Sequence, residues 1–200
     1  MKDQELHPWL EQLIRGDSDA FTPIYELTSD HVYRTVYCLL GDKTDTADVV
    51  SEIYLEFMKS IGSYSFELPF RSWLNGLIIR QTNNWRRKIW RRVRITERVK
   101  QYFTESSPIQ SEEQYVKREQ RDELLAMVNK LPYKLKQVIV LKHFQECSYE
   151  EMASLLNVPL GTVKSRHHSA IGKLRRLTEH QMNNKEVAIR VDREQTDRGL

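Results

Sequence analysis

Residues 149 to 177 contain two helical patterns with a proline between them, and this stretch restricts the possible folds more than any other. Ser148 is suited to cap the first helix, because its hydroxyl can accept a backbone amide while Glu151 reaches back. Pro159 disfavours helical backbone at the residue before it, so the sequence predicts a tight turn at Asn157–Pro159. Two helices joined in this way form a helix-turn-helix unit.

The second predicted helix of this unit has one apolar side and one basic side. With a rotation of about 100 degrees per residue, the apolar side is formed by Val163, His167, Ala170, Leu174 and Leu177. Between Pro159 and Leu177 there are five Lys or Arg residues and no Asp or Glu. A basic face of small residues suits a helix that lies in the major groove of DNA. The alternative is a solvated basic face on an ordinary bundle helix.

The candidate DNA contacts of this helix are polar residues on and beside its basic side. They are Thr162, Lys164, Ser165, Arg166, His168, Ser169, Arg175 and Arg176. His167 lies on the apolar side, and we expect it to pack half-buried rather than to contact DNA. His168 points about 100 degrees away from it and faces outward, so the two histidines are not expected to share a metal ion.

Charge is distributed unevenly along the chain, although the net charge is only +3. Residues 1–67 carry five Lys or Arg and 13 Asp or Glu, whereas residues 68–100 carry ten and one. Residues 101–200 carry 16 and 14. A strongly basic stretch usually binds phosphate, because release of condensed counterions favours association. A membrane surface is the other candidate, but the aromatic and amide residues around these charges favour nucleic acid.

The basic stretch contains the segment FRSWLNGLIIRQTNNWRRKIWRRVR, from Phe70 to Arg94, which we call the basic segment. Its helical periodicity predicts a buried side formed by Leu74, Leu77, Ile78, Trp85 and Ile89. A different, polar side is formed by Trp73, Arg80, Asn83, Asn84 and Arg87. Arg and amide side chains can hydrogen-bond to base edges, and an exposed Trp can stack on an unpaired base. For Trp73, structural packing at the start of a helix is an equal alternative.

An acidic helix is predicted from Asp45 to Ser60, with the sequence DTADVVSEIYLEFMKS. Its apolar face consists of Val49, Ile53, Phe57 and either Val50 or Tyr54, and the opposite side carries Asp48, Ser51, Glu52, Leu55 and Glu56. An acidic helix does not bind the phosphate that the basic segment attracts. The acidic side is therefore either solvated or bound to a protein partner with a basic surface.

Helical periodicity dominates the whole sequence, and the seven Gly and six Pro leave little material for a turn-rich β fold. The predicted fold is all-α, with helices at 8–15, 18–40, 45–61, 70–94, 116–130, 134–144, 148–156 and 160–178. The stretch TESSPIQSEEQ (Thr104–Gln114) is polar and lacks apolar periodicity, which is typical of a flexible linker. We therefore predict helical domains at 1–95 and 116–178, a linker at 96–115 and a disordered tail at 179–200.

No pattern in the sequence predicts catalysis, a metal site or a cofactor. The chain has no Ser/His/Asp order, metal-ligand spacing or Gly-rich phosphate loop in a supporting context. Asp48 and Glu52 are four residues apart, which is common on solvated helices. Cys38 and Cys147 are expected to be reduced thiols. The start MKDQELHPWLEQL lacks a secretory pattern and no apolar run approaches about 20 residues, so we expect a cytoplasmic protein.

Taken together, these segments resemble the bacterial sigma-70 family, and within it the two-domain extracytoplasmic-function (ECF) group. The likeness reaches Leu177. Features similar to region 2 are DTADVVSEIYLEF (Asp45–Phe57), FRSWL (Phe70–Leu74) and NNWRRK (Asn83–Lys88). Features similar to region 4 are LPYKLKQVIVLKHF (Leu131–Phe144), SYEEMASLLNVPLGTVKSR (Ser148–Arg166) and KLRRL (Lys173–Leu177).

The resemblance implies a transcription-initiation subunit that works with promoter DNA and core RNA polymerase, without a small-molecule substrate. The acidic helix would dock on the clamp helices of the beta-prime subunit. The basic segment and the loop 60–69 would read and open the downstream promoter element, with Tyr64, Phe66, Phe70 and Arg71 as further candidates; packing is an equal alternative for Phe66 and Phe70. The helix Gly161–Arg176 would read the upstream element. An anti-sigma partner is typical of the family.

Several residues depart from the family pattern. The acidic pattern appears as Asp45-Thr46-Ala47-Asp48, one acid short, and Ser51 stands where Gln is usual. Arg80 and Asn84 replace a frequent Asn and Asp, which would alter base preference if these residues read bases. A leucine is usual at His167 and an arginine at Ser169.

Two other classes of protein remain open from the sequence alone. A free-standing helix-turn-helix repressor or activator would account for Leu131–Leu177, but it needs no second, aromatic-rich nucleic-acid surface such as the basic segment. An enzyme is the other class, and only the carboxylate pair of the acidic helix points toward it.

Overall fold

All regular structure in the part of the chain that is described is helical. The structure is a computed structural model that describes the backbone of residues 3–96 and 124–197, with side chains at 3–91 and 124–179. The chain divides into two compact units, with the first break between residues 114 and 115. The predicted linker at 96–115 and the predicted start of the second domain lie almost wholly outside the described residues. The all-α prediction is confirmed.

The first unit contains four α-helices between residues 3 and 96. They are α1 (Asp3–Ile14), α2 (Phe21–Leu40), α3 (Lys43–Ser60) and α4 (Phe70–Thr96), with 3₁₀ turns at Ser18–Ala20 and Ile61–Ser63. α2 packs against α1, α3 and α4, and α3 also packs against α4. Fully buried side chains of all four helices form the core, among them Leu10, Ile24, Ile53 and Leu77.

The helix boundaries inside this unit follow the local capping chemistry. Asp42 caps α3, because its Oδ1 accepts the Asp45 N–H at 2.8 Å. Gly41 ends α2 with a φ of +81° and donates its N–H to the Tyr37 carbonyl at 2.8 Å. The predicted bounds of α2, α3 and α4 are therefore close to those observed.

The predicted first helix, 8–15, was wrong at its start. α1 begins at Asp3 and includes Pro8 within its length. Leu6, Leu10 and Leu13 are buried on one side of it. Burial of Leu6 favours the extra turn and offsets the single backbone hydrogen bond that Pro8 cannot donate.

The second unit is described from residue 124. The helices described from residue 124 onward are α5 (124–129), α6 (Tyr133–Ile139), α7 (Tyr149–Leu156) and α8 (Leu160–Asp197), and α6 continues into a π-helical turn at Val140–Phe144. Of these residues, Ala153–Asn157 are grouped with the first unit. α6 packs against α8. Val138, Leu141, Met152, Val163 and Ala170 are among its buried side chains.

The start of α7 has the predicted capping hydrogen bonds, and the turn between α7 and α8 lies where it was predicted. The Ser148 Oγ accepts the Glu151 N–H at 3.1 Å, and the Glu151 Oε2 accepts the Ser148 N–H at 2.7 Å. Asn157 has a φ of +50°, a left-handed conformation that ends α7 before Pro159. The helix-turn-helix unit is therefore confirmed.

The end of α8 differs from the prediction. A helix ending at residue 178 and a disordered tail were expected, but the backbone stays helical to Asp197. Residues 179–197 contain no Gly or Pro and many residues with good helix propensity, such as Glu, Gln, Lys and Arg. The predicted helix end at residue 178 is therefore wrong, while disorder of the tail at 179–200 stays a prediction.

Among the helices described here, none combines the length and the apolar character that crossing a membrane requires.

Candidate nucleic-acid interface

α4 buries one side and presents charged and amide groups on another, as its periodicity predicted. Leu74, Leu77 and Ile78 are buried, whereas Trp85 and Ile89, predicted on the same side, are only half-buried. Arg80, Asn84 and Arg87 are exposed, and Asn83 is half-buried. The Arg87 Nη2 donates to the Asn84 Oδ1 at 2.7 Å, and the Asn84 Nδ2 donates to the Gln81 Oε1 at 3.4 Å. The exposed side of α4 is therefore a row of hydrogen-bonding groups that hold one another in place.

Two of the aromatic candidates for base capture, Tyr64 and Phe70, are buried in this structure, which favours packing, the alternative that the sequence left open for Phe70. Phe70 is 2% exposed and Tyr64 is 9% exposed. Their rings lie edge to face with centroids 5.6 Å apart, and Phe70 also packs on Phe57. The Tyr64 hydroxyl donates to the Leu68 carbonyl at 2.8 Å, and burial raises the pKa of Tyr64. Both residues support the loop from beneath.

Trp73 belongs to the same aromatic cluster but remains half-buried. Its ring lies 5.8 Å from Phe57, 5.4 Å from Tyr64 and 5.8 Å from Phe70, measured between centroids. Packing is therefore one role of Trp73, and only part of its ring is open to another molecule.

Phe66 and Leu68 are large apolar side chains that the loop 60–69 exposes, at 42% and 62%. The Phe66 ring contacts His7 of α1, with centroids 4.4 Å apart, and Tyr64 at 5.0 Å. This leaves a supported aromatic face at the surface beside α4. Of the candidates Tyr64, Phe66 and Phe70, Phe66 is the accessible one.

Arg71 lies half-buried at the start of α4 rather than on an open surface. It is one of the charged groups around His31, a half-buried residue of α2 whose Nε2 lies 3.4 Å from the Asn75 Oδ1. Burial, followed by the Arg71 charge, lowers the pKa of His31. Arg71 is thus partly committed to the interior of the first unit.

α8 presents its predicted basic side to solvent. Lys164, Ser165, His168, Ser169, Arg175 and Arg176 are exposed, and Thr162 and Arg166 are half-buried. Val163 and Ala170 are fully buried on the opposite side. The Thr162 and Val163 amides both donate to the Pro159 carbonyl, so the helix is regular from its first turn. The face proposed for base and phosphate contacts is therefore accessible.

His167 is half-buried, as expected, and is held by two side chains from neighbouring elements. Its Nε2 lies 3.0 Å from the His143 Nε2, and its Nδ1 lies 3.0 Å from the Tyr149 hydroxyl. His143 belongs to the turn after α6 and Tyr149 begins α7. Sequence reasoning missed His143, because no spacing rule relates residues 24 positions apart on different helices.

α3 shows the predicted division into an apolar and an acidic side. Val49, Ile53, Tyr54 and Phe57 are buried, which resolves the choice between Val50 and Tyr54. On the other side Asp48, Ser51 and Leu55 are exposed, and Leu55 is 62% exposed. Glu52 and Glu56 are half-buried. The Glu52 Oε1 accepts a hydrogen bond from the Lys88 Nζ of α4 at 2.9 Å, a pairing that sequence reasoning did not foresee.

These features define a two-part nucleic-acid-binding protein with a helix-turn-helix unit, a basic helix and an acidic helix. Residues 24–92 match the family described as Sigma-70 region 2, and residues 121–174 match the family described as Sigma-70, region 4.

Similar proteins show to which group of the sigma-70 family the chain belongs. The ECF RNA polymerase sigma factor SigW of Bacillus subtilis is 30% identical over 174 residues, which covers 84% of this chain and 93% of the relative. The RNA polymerase sigma-H factor of Pseudomonas aeruginosa is 26% identical, and the match covers 82% of this chain and 88% of that relative. The chain therefore belongs to the ECF sigma factors of the sigma-70 family.

A solved structure agrees with this fold. The sigma factor RpoE of Bartonella quintana, crystallised with the anti-sigma factor NepR, superposes with a TM-score of 0.65 at 19% identity. The match covers 80% of this chain and 96% of that chain. At this identity the likeness shows the fold alone.

Proposed function

We propose that this sigma factor binds core RNA polymerase, recognises promoters through both of its units, and opens the downstream promoter element. The observation that carries the proposal is the presence of two separate basic helical surfaces, on α4 and on α8. They lie in the two regions that match Sigma-70 regions 2 and 4. A free-standing repressor has no use for the surface on α4.

Upstream recognition is assigned to the exposed side of α8. Lys164, Arg166 and Arg176 supply charge for phosphates, while Ser165, His168 and Ser169 are short enough to approach base edges in the major groove. Thr162, near the start of the helix, and Arg175, near residue 177, would contact the flanking backbone. Burial of Val163 and Ala170 supports this assignment, because it fixes which side of the helix faces outward.

Downstream recognition is assigned to α4 and the loop before it. Arg80, Asn83, Asn84 and Arg87 would contact the promoter strands, and Phe66 would stack on an unpaired base. Trp73 and Arg71 would support that surface from their half-buried positions. Strand opening by capture of an unpaired base requires no nucleotide hydrolysis, so we propose no catalytic activity for this chain.

Core polymerase binding is assigned to the outer side of α3. Leu55 is an exposed apolar side chain with Asp48, Ser51, Glu52 and Glu56 on the same side of the helix. An apolar anchor within a charged rim is a common arrangement at protein interfaces. The partner surface would be basic, as expected for the clamp helices of the beta-prime subunit.

We also propose a cytoplasmic location and regulation by an anti-sigma factor. Bartonella quintana RpoE was crystallised with the anti-sigma factor NepR, which supports such a partner for a protein of the same fold.

The test is reconstitution of the full chain with core RNA polymerase. We expect co-purification as a complex, transcription from a limited set of promoters, and permanganate-reactive thymines at their downstream elements. Sequencing the transcripts identifies these promoters. Absence of a complex with core polymerase, or transcription that does not depend on promoter sequence, would contradict the proposal.

A further inference from the structure

Three side chains from three different elements form one hydrogen-bonded chain beside the DNA-reading helix. His143 lies in the turn that follows α6, Tyr149 begins α7, and His167 lies on α8. His167 bridges the other two, with 3.0 Å from its Nε2 to the His143 Nε2 and 3.0 Å from its Nδ1 to the Tyr149 hydroxyl. Both ring nitrogens of His167 are therefore engaged with other elements of the second unit.

The two histidine nitrogens point directly at each other. The ring centroids are 5.2 Å apart and the Nε2 atoms are 3.0 Å apart. The difference of 2.2 Å is close to twice the distance from an imidazole centre to its nitrogen. A metal ion on the line between the two Nε2 atoms would be much closer to each of them than the Zn–N distance of about 2.0–2.1 Å. A hydrogen-bonding proton fits this gap.

The hydrogen-bonded trio of His143, His167 and Tyr149 accommodates one added proton but not two. In the neutral pair, one Nε2–H donates to the other Nε2, and the Tyr149 hydroxyl donates or accepts according to the tautomer of His167. When His143 is protonated, its Nε2–H donates to His167, whose Nδ1–H then donates to the Tyr149 oxygen. When both histidines are protonated, two N–H groups occupy the gap and the hydrogen bond is lost.

The charged groups around His167 oppose its protonation. Burial lowers the pKa of His167, and the His143, Lys142 and His168 charges lower it further. Lys142 and Lys164 lie over the Tyr149 ring, with Nζ atoms 4.9 Å and 6.0 Å from its centroid. A second proton would therefore enter a group of cations drawn from α8 and the turn after α6.

We infer that His143 and Tyr149 are positioning residues that hold α8 through His167, and that acidification releases this hold and weakens recognition of the upstream element. The inference rests on the proposed function, because it assigns a regulatory property to the helix that reads DNA. Sequence-specific binding is the sensitive quantity, since added positive charge by itself strengthens binding to any DNA.

The experiment uses holoenzyme assembled from the full chain and core RNA polymerase. The probe is a promoter duplex identified by transcript sequencing, compared with the same duplex carrying a scrambled upstream element. The ratio of the two affinities is measured from about pH 7.5 to about pH 5.5. We expect the ratio for the wild type to stay constant while the trio holds one added proton. It should fall by about threefold to tenfold as the second proton enters, the factor that corresponds to loss of one ordinary hydrogen bond.

Three variants distinguish the effect of the hydrogen-bonded trio from general effects of pH on DNA binding. His143→Gln keeps a hydrogen-bonding group without a titration, and His167→Leu removes the bridge; both should keep a constant ratio. His180→Gln removes a histidine that belongs neither to this hydrogen-bonded trio nor to the proposed DNA contacts, and it should behave as the wild type. A constant ratio in the wild type, or an equal fall in His167→Leu, would overturn the inference.

A second measurement does not depend on DNA. NMR titration of the histidine rings in the free full chain should show a higher pKa for His167 in His143→Gln than in the wild type. An unchanged titration would overturn the inference. Tyr149→Phe, which removes only the hydroxyl, serves where another variant fails to fold. Loss of all promoter preference at about pH 7.5 would contradict the proposed function instead, so the two failures are distinguishable.

Discussion

Phe66 and Tyr64 are two residues apart in one loop, but their surroundings are opposite. Tyr64 is buried, and its hydroxyl is bonded to the Leu68 carbonyl, whereas Phe66 is 42% exposed beside His7. A ring that serves as a stacking platform must leave one face open, while the residues beneath it must be rigid. Tyr64 and Phe70 supply the rigidity, and Phe66 supplies the open face.

Phe66→Ala should impair promoter opening with little loss of stability. A base–aromatic stack contributes about 1–3 kcal/mol, so we expect open-complex formation to fall by about tenfold, as measured by permanganate reactivity. Tyr33→Ala is a matched control, because Tyr33 is 39% exposed on α2. Normal melting by Phe66→Ala would remove this residue from the proposed site.

His31 should make the stability of the first unit depend on pH. Its folded pKa is lowered by burial and then by Arg71, against the raising effects of Asn75 and Asp30. The stability that the neutral ring provides is present above the unfolded pKa of about 6.5 and is lost as the pH falls through the lowered folded value. The free energy of unfolding should therefore decrease on acidification, and less so in His31→Gln.

Tryptophan fluorescence measures this effect for the first unit alone. All four tryptophans of the chain, at positions 9, 73, 85 and 90, lie in that unit. An equal decrease for His31→Gln and the wild type between about pH 7.5 and pH 5.5 would show that another group is responsible.

At the scale of single elements, α3 and α4 pack their apolar sides together and direct their polar sides outward. The inner sides follow from periodicity, since only one register buries Val49, Ile53 and Phe57 together. The outer sides differ in charge, so one helix suits a basic protein surface and the other suits phosphate. Two neighbouring helices can thus serve two partners.

Leu55→Ala should weaken the complex with core polymerase without destabilising the fold. The side chain is 62% exposed, so its removal leaves no cavity in the core. We expect the Kd for core polymerase to rise by about tenfold, equivalent to about 1.4 kcal/mol, in a titration of labelled protein. Leu27→Ala, at a 41% exposed position of α2, is the control. Equal affinities for the two variants would exclude Leu55 from the interface.

At the scale of the whole molecule, promoter binding should combine charge from both units. Lys164→Ala and Arg87→Ala each remove an exposed cation from a different unit. Each should reduce the slope of log K against log salt by about one for holoenzyme binding to a promoter duplex. In the double variant the slope should fall by about two, because the two sites contribute independently. Lys43→Ala, in the acidic part of the chain, should leave the slope unchanged; a slope that is also unchanged for Arg87→Ala would remove α4 from the phosphate contacts.

Much of this architecture could be predicted from the sequence, because periodicity identifies the inner side of a helix. Leu74, Leu77, Ile78, Val163 and Ala170 were placed inward for that reason, and the Ser148 capping box follows from local chemistry. The sequence does not decide which of the aromatics at 64, 66 and 70 is buried, since no periodicity applies to an irregular segment. The links between His143 and His167 and between Glu52 and Lys88 join distant positions, and only the packed fold brings them together.

The ion pair of Glu52 and Lys88 joins the acidic helix to the basic one at 2.9 Å. While the carboxylate holds this ammonium group, α4 offers one cation fewer than its composition suggests. A basic surface that draws Glu52 toward itself releases Lys88 next to the row formed by Arg80 and Arg87. Binding of the subunit to a cationic partner would thereby strengthen its attraction for a polyanion. This favours an order in which the subunit binds its protein partner first and searches for a promoter afterwards.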